Sequence, residues 1–169
     1  MGESFDLDPV EGIGVGAIGE PGQRRFYLRA SSATQTVLLE CEKYHVQGLL
    51  LRIQALLEAQ GFGVEGGPTL PVRPPAEPGE MSWRVGELGL GFHEAKARFV
   101  IVAREIEAPE GTPDAGIARF WASPEQLRAF TGQAQGVLAG GRPPCPRCGL
   151  PIDPSGHPCP AANGLRPVF

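Results

Sequence analysis

The chain has 169 residues, 41% hydrophobic and 20% charged, with a formal net charge of −4. That supplies the core of one ordinary domain with a small appendage, and it argues against a protein that coats nucleic acid through bulk electrostatics. No secretory segment follows Met1 and no apolar run approaches the ~20 residues of a membrane span, so a reducing cytoplasm is the expected location.

Residues from about Ile13 to Ile18 are small and apolar and stop at the turn-forming string GEPGQ. RRFYLRA follows as a predicted strand, with Phe26 and Leu28 on one face and Arg25, Tyr27 and Arg29 on the other. TVLLECE is a third, with Val37, Leu39 and Cys41 on one face. An amphipathic helix comes next: Val46, Leu49, Leu50, Ile53, Leu56 and Leu57 recur at helical spacing, and Gly61 stands where a C-cap belongs. Gly66 to Glu80 is a Pro/Gly-rich linker. WRVGELGLGF and RFVIVAREI then read as strands joined by the charged turn HEAKA, and GIARFWA as another after the loop APEGTPD. SPEQ opens a second helix, with Ser123 as N-cap, Pro124 at the first helical position and Gln126 at the capping-box position. Its apolar stripe is Leu127, Phe130, Ala134, Val137 and Leu138, and Gly140-Gly141 end it.

Both halves thus read strand, strand, strand, helix, a pattern compatible with an internal duplication. The expected fold is α+β: an antiparallel sheet of about six strands with two helices on one face, plus a C-terminal zinc-binding loop. The expected divisions are 1–65 for the first half, 66–80 for the linker, 81–141 for the second half and 142–169 for the tail.

The tail carries the chemistry. Cys145 and Cys148 form C-x-x-C, and His157 and Cys159 form H-x-C among turn residues. Three thiolates and an imidazole are a standard structural set for tetrahedral Zn²⁺. Gly149, Asp153-Pro154 and Ser155-Gly156 supply the turns that would face the two pairs, and so proline-rich a stretch would not fold without a staple. A thioredoxin-type redox site needs a helix to begin at Cys148, which Pro144, Pro146 and Gly149 disfavour. Pro144–Cys148 matches half of the zinc-deaminase signature. The H-x-E half is missing: Ala95 stands at the acid position after His93, and Gln47 at the one after His45.

Elsewhere, GVGAIG fits G-x-G-x-x-G, but Pro21-Gly22 and a strand follow where a dinucleotide site needs a helix. Gln23, Arg24, Arg25 and Tyr27 form the most polar and aromatic strand. It is read either as the wet side of a sheet or as a surface for an anion or a partner. His45 and His93 are expected on the surface, and Cys41, Trp83 and Trp121 in packing roles.

With both segments in view, the chain resembles an uncharacterised bacterial family of high-GC lineages. The resemblance rests on G-x-P-G-Q-R-x-F-Y-L, matched from Gly19 to Leu28, and on C-P-x-C-G-x-P-x-D-P-x-G-H-x-C-P-x-x-N-G, matched from Cys145 to Gly164. It implies a pathway shared with a phosphatidylinositol-kinase-like and a histidine-phosphatase-like protein. The function expected on these grounds is a non-catalytic cytoplasmic adaptor or interaction protein with a structural zinc site. The alternatives are an enzyme acting on a phosphorylated or nucleotide substrate at the Gln23–Arg25 segment, and an RNA-binding protein.

Overall fold

The computed structural model describes residues 3–20, 22–63, 81–106 and 115–140, together with two short strand segments at 157–158 and 167–168. The linker at 66–80 and the whole of the loop APEGTPD lie outside the described residues.

The elements follow the period of the apolar residues. In chain order they are β1 (Phe5–Leu7), β2 (Gly12–Ile18), β3 (Arg25–Ser31), β4 (Thr36–Cys41), α1 (Lys43–Ala59), β5 (Trp83–His93), β6 (Arg98–Glu105), β7 (Ile117–Ala122) and α2 (Pro124–Ala139). A separate antiparallel pair joins β8 (His157–Pro158) to β9 (Pro167–Val168). Alternation sends Phe26, Leu28 and Ala30 of β3, Val37, Leu39 and Cys41 of β4, and Phe99, Ile101 and Ala103 of β6 into one core. The helices add Val46, Leu49, Ile53 and Leu57 from α1, and Leu127, Phe130 and Ala134 from α2.

The sheet is mixed and seven-stranded, in the order β1-β7-β6-β5-β4-β3-β2, where an antiparallel sheet of about six had been expected. β4 runs parallel to β5 through Leu39↔Trp83 and Glu40↔Arg84, and β1 runs parallel to β7. The reason is geometrical. A helix after β4 carries the chain back along the sheet, so the next strand starts at the same end as β4 and must run beside it in the same direction.

The two edges of this order are β1 and β2, yet only four residues separate them in sequence. Six inter-strand gaps amount to about 29 Å in a flat sheet, whereas the connection can stretch only about 17 Å. The sheet therefore curls until its edges meet. Val10 donates its amide to the Trp121 carbonyl of β7 at 2.9 Å, and Glu11 donates to the Ser31 carbonyl of β3 at 2.8 Å. One N-terminal segment is thus hydrogen-bonded to both halves.

The parallel junctions are short, and the helices cover what they leave open. α1 and α2 pack on each other, α1 along β5 and α2 along β2. Side chains of α1 reach the carbonyls of β5: His45 Nε2 donates to Gly86 O at 3.2 Å and Arg52 Nη1 to Leu88 O at 2.6 Å. From α2, Gln126 Nε2 donates to Val10 O at 2.9 Å. Covering strand edges in this way satisfies backbone groups that would otherwise recruit another chain.

Ser123 and Gln126 form the expected capping box at α2. Gly61 follows the α1 C-cap residue Gln60 with φ +78°, a left-handed position that suits glycine.

Candidate functional site

Strand alternation separates the residues of the Gln23–Tyr27 segment. Gln23 is exposed in a tight turn, its amide donating to Glu20 O at 2.9 Å. Gly19 and Gly22 take φ of +104° and +91° there, and a Cβ on Gly19 would stand 2.8 Å from Gln23 O. Arg25 points to the outer face. Its Nε and Nη2 grip both oxygens of Glu40, at 2.9 and 2.8 Å, and Arg84 approaches the same carboxylate at 3.7 Å. The hydrogen bond from Arg25 holds the Glu40 carboxyl below its ordinary value, aided by the charges of Arg25 and Arg84 against partial burial.

Arg24 turns the other way. Its guanidinium stacks 5.0 Å from the Phe26 ring centroid, and Nη2 donates to the Val137 carbonyl of α2 at 2.6 Å. That carbonyl belongs to the last turn of the helix, where acceptors lack intrahelical partners and a positive charge complements the dipole. Burial lowers the Arg24 pKa from its ordinary value. Arg24 is therefore a C-terminal cap supplied from a distant turn, and it does not share a face with Arg25.

Tyr27 was expected on the wet face beside Arg25 and Arg29, but it is 1% exposed. Its cross-strand partner is Gly16, and the ring lies in the space a side chain there would occupy. The glycines of GVGAIG thus make room for an aromatic ring, not for a phosphate. Burial pushes the phenol pKa up, with Arg29 opposing. Among the described residues the Tyr27 hydroxyl has no hydrogen-bond partner, nor do Arg24 Nη1, Arg128 Nε and Gln133 Oε1.

His45 also departs from expectation. It is buried, its Nδ1 accepts from the Glu42 amide at 3.0 Å, and Nε2 donates to Gly86 O. A backbone amide can only donate, so the proton sits on Nε2 and both ring nitrogens are satisfied. A cavity of about 180 Å³ beside it is lined by Tyr44, Gly48, Arg52 and Glu87 among others. His93 is exposed, as expected. Trp83 donates to Glu3 O at 2.8 Å, and Trp121 donates to Asp6 Oδ1 at 3.1 Å beneath the Lys96 ammonium. Lys96 also bonds Asp8 at 2.8 Å, so this group fastens the N-terminal segment to β7. Cys41 is a core thiol, its pKa pushed up to about 12 chiefly by burial.

Of the four metal-ligand candidates, Cys145, Cys148 and Cys159 lie outside the described residues. His157 is placed only as backbone, in β8 opposite Val168. Among the described residues no group of three or more His, Cys, Asp or Glu could hold a metal. No helix there is long and apolar enough to cross a membrane.

No curated protein and no solved structure matches the chain. A family model described as "Protein of unknown function (DUF3090)" matches residues 5–159, which takes in the whole curled sheet, both helices and the cysteine tail as far as Cys159. The chain belongs to that family.

Proposed function

We propose that the protein is a cytoplasmic zinc-binding interaction protein, in which Cys145, Cys148, His157 and Cys159 hold one structural Zn²⁺ and the domain acts as a non-catalytic adaptor. The observation that carries this reading is the ligand set itself: three thiols and an imidazole between Cys145 and Cys159, with no long segment between the pairs. Chemically the set fits Zn²⁺, and four protein donors leave the ion no open position for a substrate or an activated water. The family match ends at Cys159, so all four donors fall inside the matched region.

Support for an anion-processing enzyme at the Gln23–Arg25 segment is weaker. Arg24 and Arg25 face opposite ways, one capping α2 and the other engaged by Glu40. The partners implied by the resemblance are a phosphatidylinositol-kinase-like and a histidine-phosphatase-like protein.

The test is metal analysis of the purified full chain. One zinc per chain is expected, released by mercurial titration of the thiols and reduced to a weak residue in Cys145→Ser or Cys159→Ser. Protein that folds with no metal would overturn the reading. Affinity capture with these two proteins addresses the adaptor role, and no association at micromolar concentration would remove it.

A further inference from the structure

Strand alternation sends one set of side chains to the outer face of the sheet, opposite those that pack in the core with the helices. Across β3 to β7 that face carries Arg25, Arg29, Arg84, Arg98, Arg104 and Arg119 against two carboxylates, Glu40 and Glu87. The excess is positive in a chain whose formal net charge is −4, so cations are gathered here and anions elsewhere. Arg25 and Arg84 are taken up by Glu40. Arg104 Nε stands 4.0 Å from Glu87, and Arg119 has no carboxylate partner among the described residues. Asp6 lies opposite Arg119 on β1, but its carboxylate accepts from Trp121 Nε1.

Arg104 faces Ile117 and Arg119 faces Val102, which makes the two arginines diagonal neighbours with Cα atoms about 7–8 Å apart. Like charges this close repel, and both side chains are exposed with no place in the core. Beside them, Gly89 and Gly91 of β5 stand opposite Val102 and Val100 of β6, so the face is bare backbone on the β5 side.

We propose that the outer face of β5, β6 and β7 docks an extended acidic segment of a partner protein, with Arg104 and Arg119 taking carboxylates two residues apart. Alternate side chains of an extended chain share a face and stand about 7 Å apart, which matches the arginine spacing. A guanidinium meets a carboxylate with two parallel N–H donors, a geometry lysine does not offer. The glycines admit the backbone of such a segment, and the methyl groups of Val100 and Val102 meet its side-chain stems. A single-stranded nucleic acid fits this face less well, because its bases need rings on which to stack. The Trp121 ring lies under the Lys96 ammonium, 4.2 Å from its centroid, and Tyr27 is 1% exposed. The proposal rests on the adaptor reading above, whose partner chemistry it names, and it does not involve the zinc site.

The experiment measures binding of the full chain to a short fluorescein-labelled peptide of alternating Glu and Ser by anisotropy, at low and at physiological salt. Saturable binding that weakens with salt is expected. The double variant Arg104→Gln/Arg119→Gln is expected to bind about tenfold more weakly, the scale of two exposed charge pairs. Lys43→Ala, which removes a cation from α1 and none from this face, is expected to stay within about twofold of wild type. Equal affinities for wild type and the double variant overturn the site. Tighter binding of an oligouridylate of equal length overturns the choice of an acidic polypeptide, and no binding of the peptide at low salt overturns the proposal outright. Should the double variant not fold, amide hydrogen exchange in wild type decides: slowing by the peptide at residues 98–104 and 117–121 supports the site, and unchanged exchange there overturns it. Metal content and capture of the two proteins named above are read separately, so failure here leaves the zinc and adaptor readings standing.

Discussion

Replacing Gly16 by alanine sets a methyl group against the Tyr27 ring. A Cβ at position 16 would overlap the hydroxyl and Cζ and stand 2.8 Å from Cε1, where carbon atoms rest at about 3.5–4.0 Å. The ring has little freedom to retreat, because Tyr27 is 1% exposed. If it swings out, it uncovers about 150 Å² or more, which at ~25 cal/mol per Å² costs about 4 kcal/mol. If β2 shifts instead, the cost resembles overpacking, about 1–3 kcal/mol. Alanine recovers about 0.5–1 kcal/mol of glycine's backbone entropy. A net loss of about 1–3 kcal/mol is expected, lowering Tm by roughly 2–12 °C for a chain of this size. Thermal unfolding followed by circular dichroism measures it, and a double-mutant cycle assigns it: in a Tyr27→Ala background, Gly16→Ala should cost less than about 1 kcal/mol. A Gly16→Ala protein melting within roughly 1 °C of wild type, or a cycle without coupling, would show that the glycine does not make room for the ring.

Four further outcomes follow from the same structure. Ser123→Ala removes one cap and should cost about 1 kcal/mol. Gln126→Ala should cost about 2 kcal/mol by denaturant unfolding, because its amide serves Ser123 N and Val10 O together. Glu40 has a carboxyl held below its ordinary 4.5, so its contribution is complete above that value and disappears as pH falls through the lower folded value. Glu40→Gln should therefore lower the melting temperature at pH 7, with the difference from wild type closing in acid. Cys41, its thiol pushed up to about 12, should be alkylated at pH 8 only after unfolding, as read by peptide mass mapping. Labelling in the native state would mean that the core opens there.

Strands β2 to β7 and both helices were legible because each is long enough to show its period: Val37, Leu39 and Cys41 at two, Leu127, Phe130 and Ala134 at helical spacing. β1 was not, since three residues with a single polar one between Phe5 and Leu7 make no detectable alternation. The parallel junction of β4 with β5 follows from the order strand, helix, strand, and expecting a wholly antiparallel sheet neglected that a helix reverses the chain once more. His45 carried a readable signal, standing four residues before Leu49 on the buried stripe. So did Tyr27, because β2 has glycine at every second position and must be covered by its neighbours. The role of Arg24 had no local signature at all. Its acceptor is a backbone carbonyl of α2, and carbonyls have no identity in sequence.

The joining of both halves by Phe5–Ile18 has a consequence for biogenesis. Phe5–Leu7 pair with Ile117–Ala122 and Gly12–Ile18 are covered by Pro124–Ala139, segments synthesised well after them. A nascent chain paused after α1 holds β2, β3 and β4 with the flank of β2 bare, a state that invites pairing with a neighbour. Final closure must await α2, and contacts of such sequence separation form slowly. Maturation is then limited by the return of the tail end of the domain to its beginning, and a chain cut before Ile117 would be left as an open, adhesive sheet.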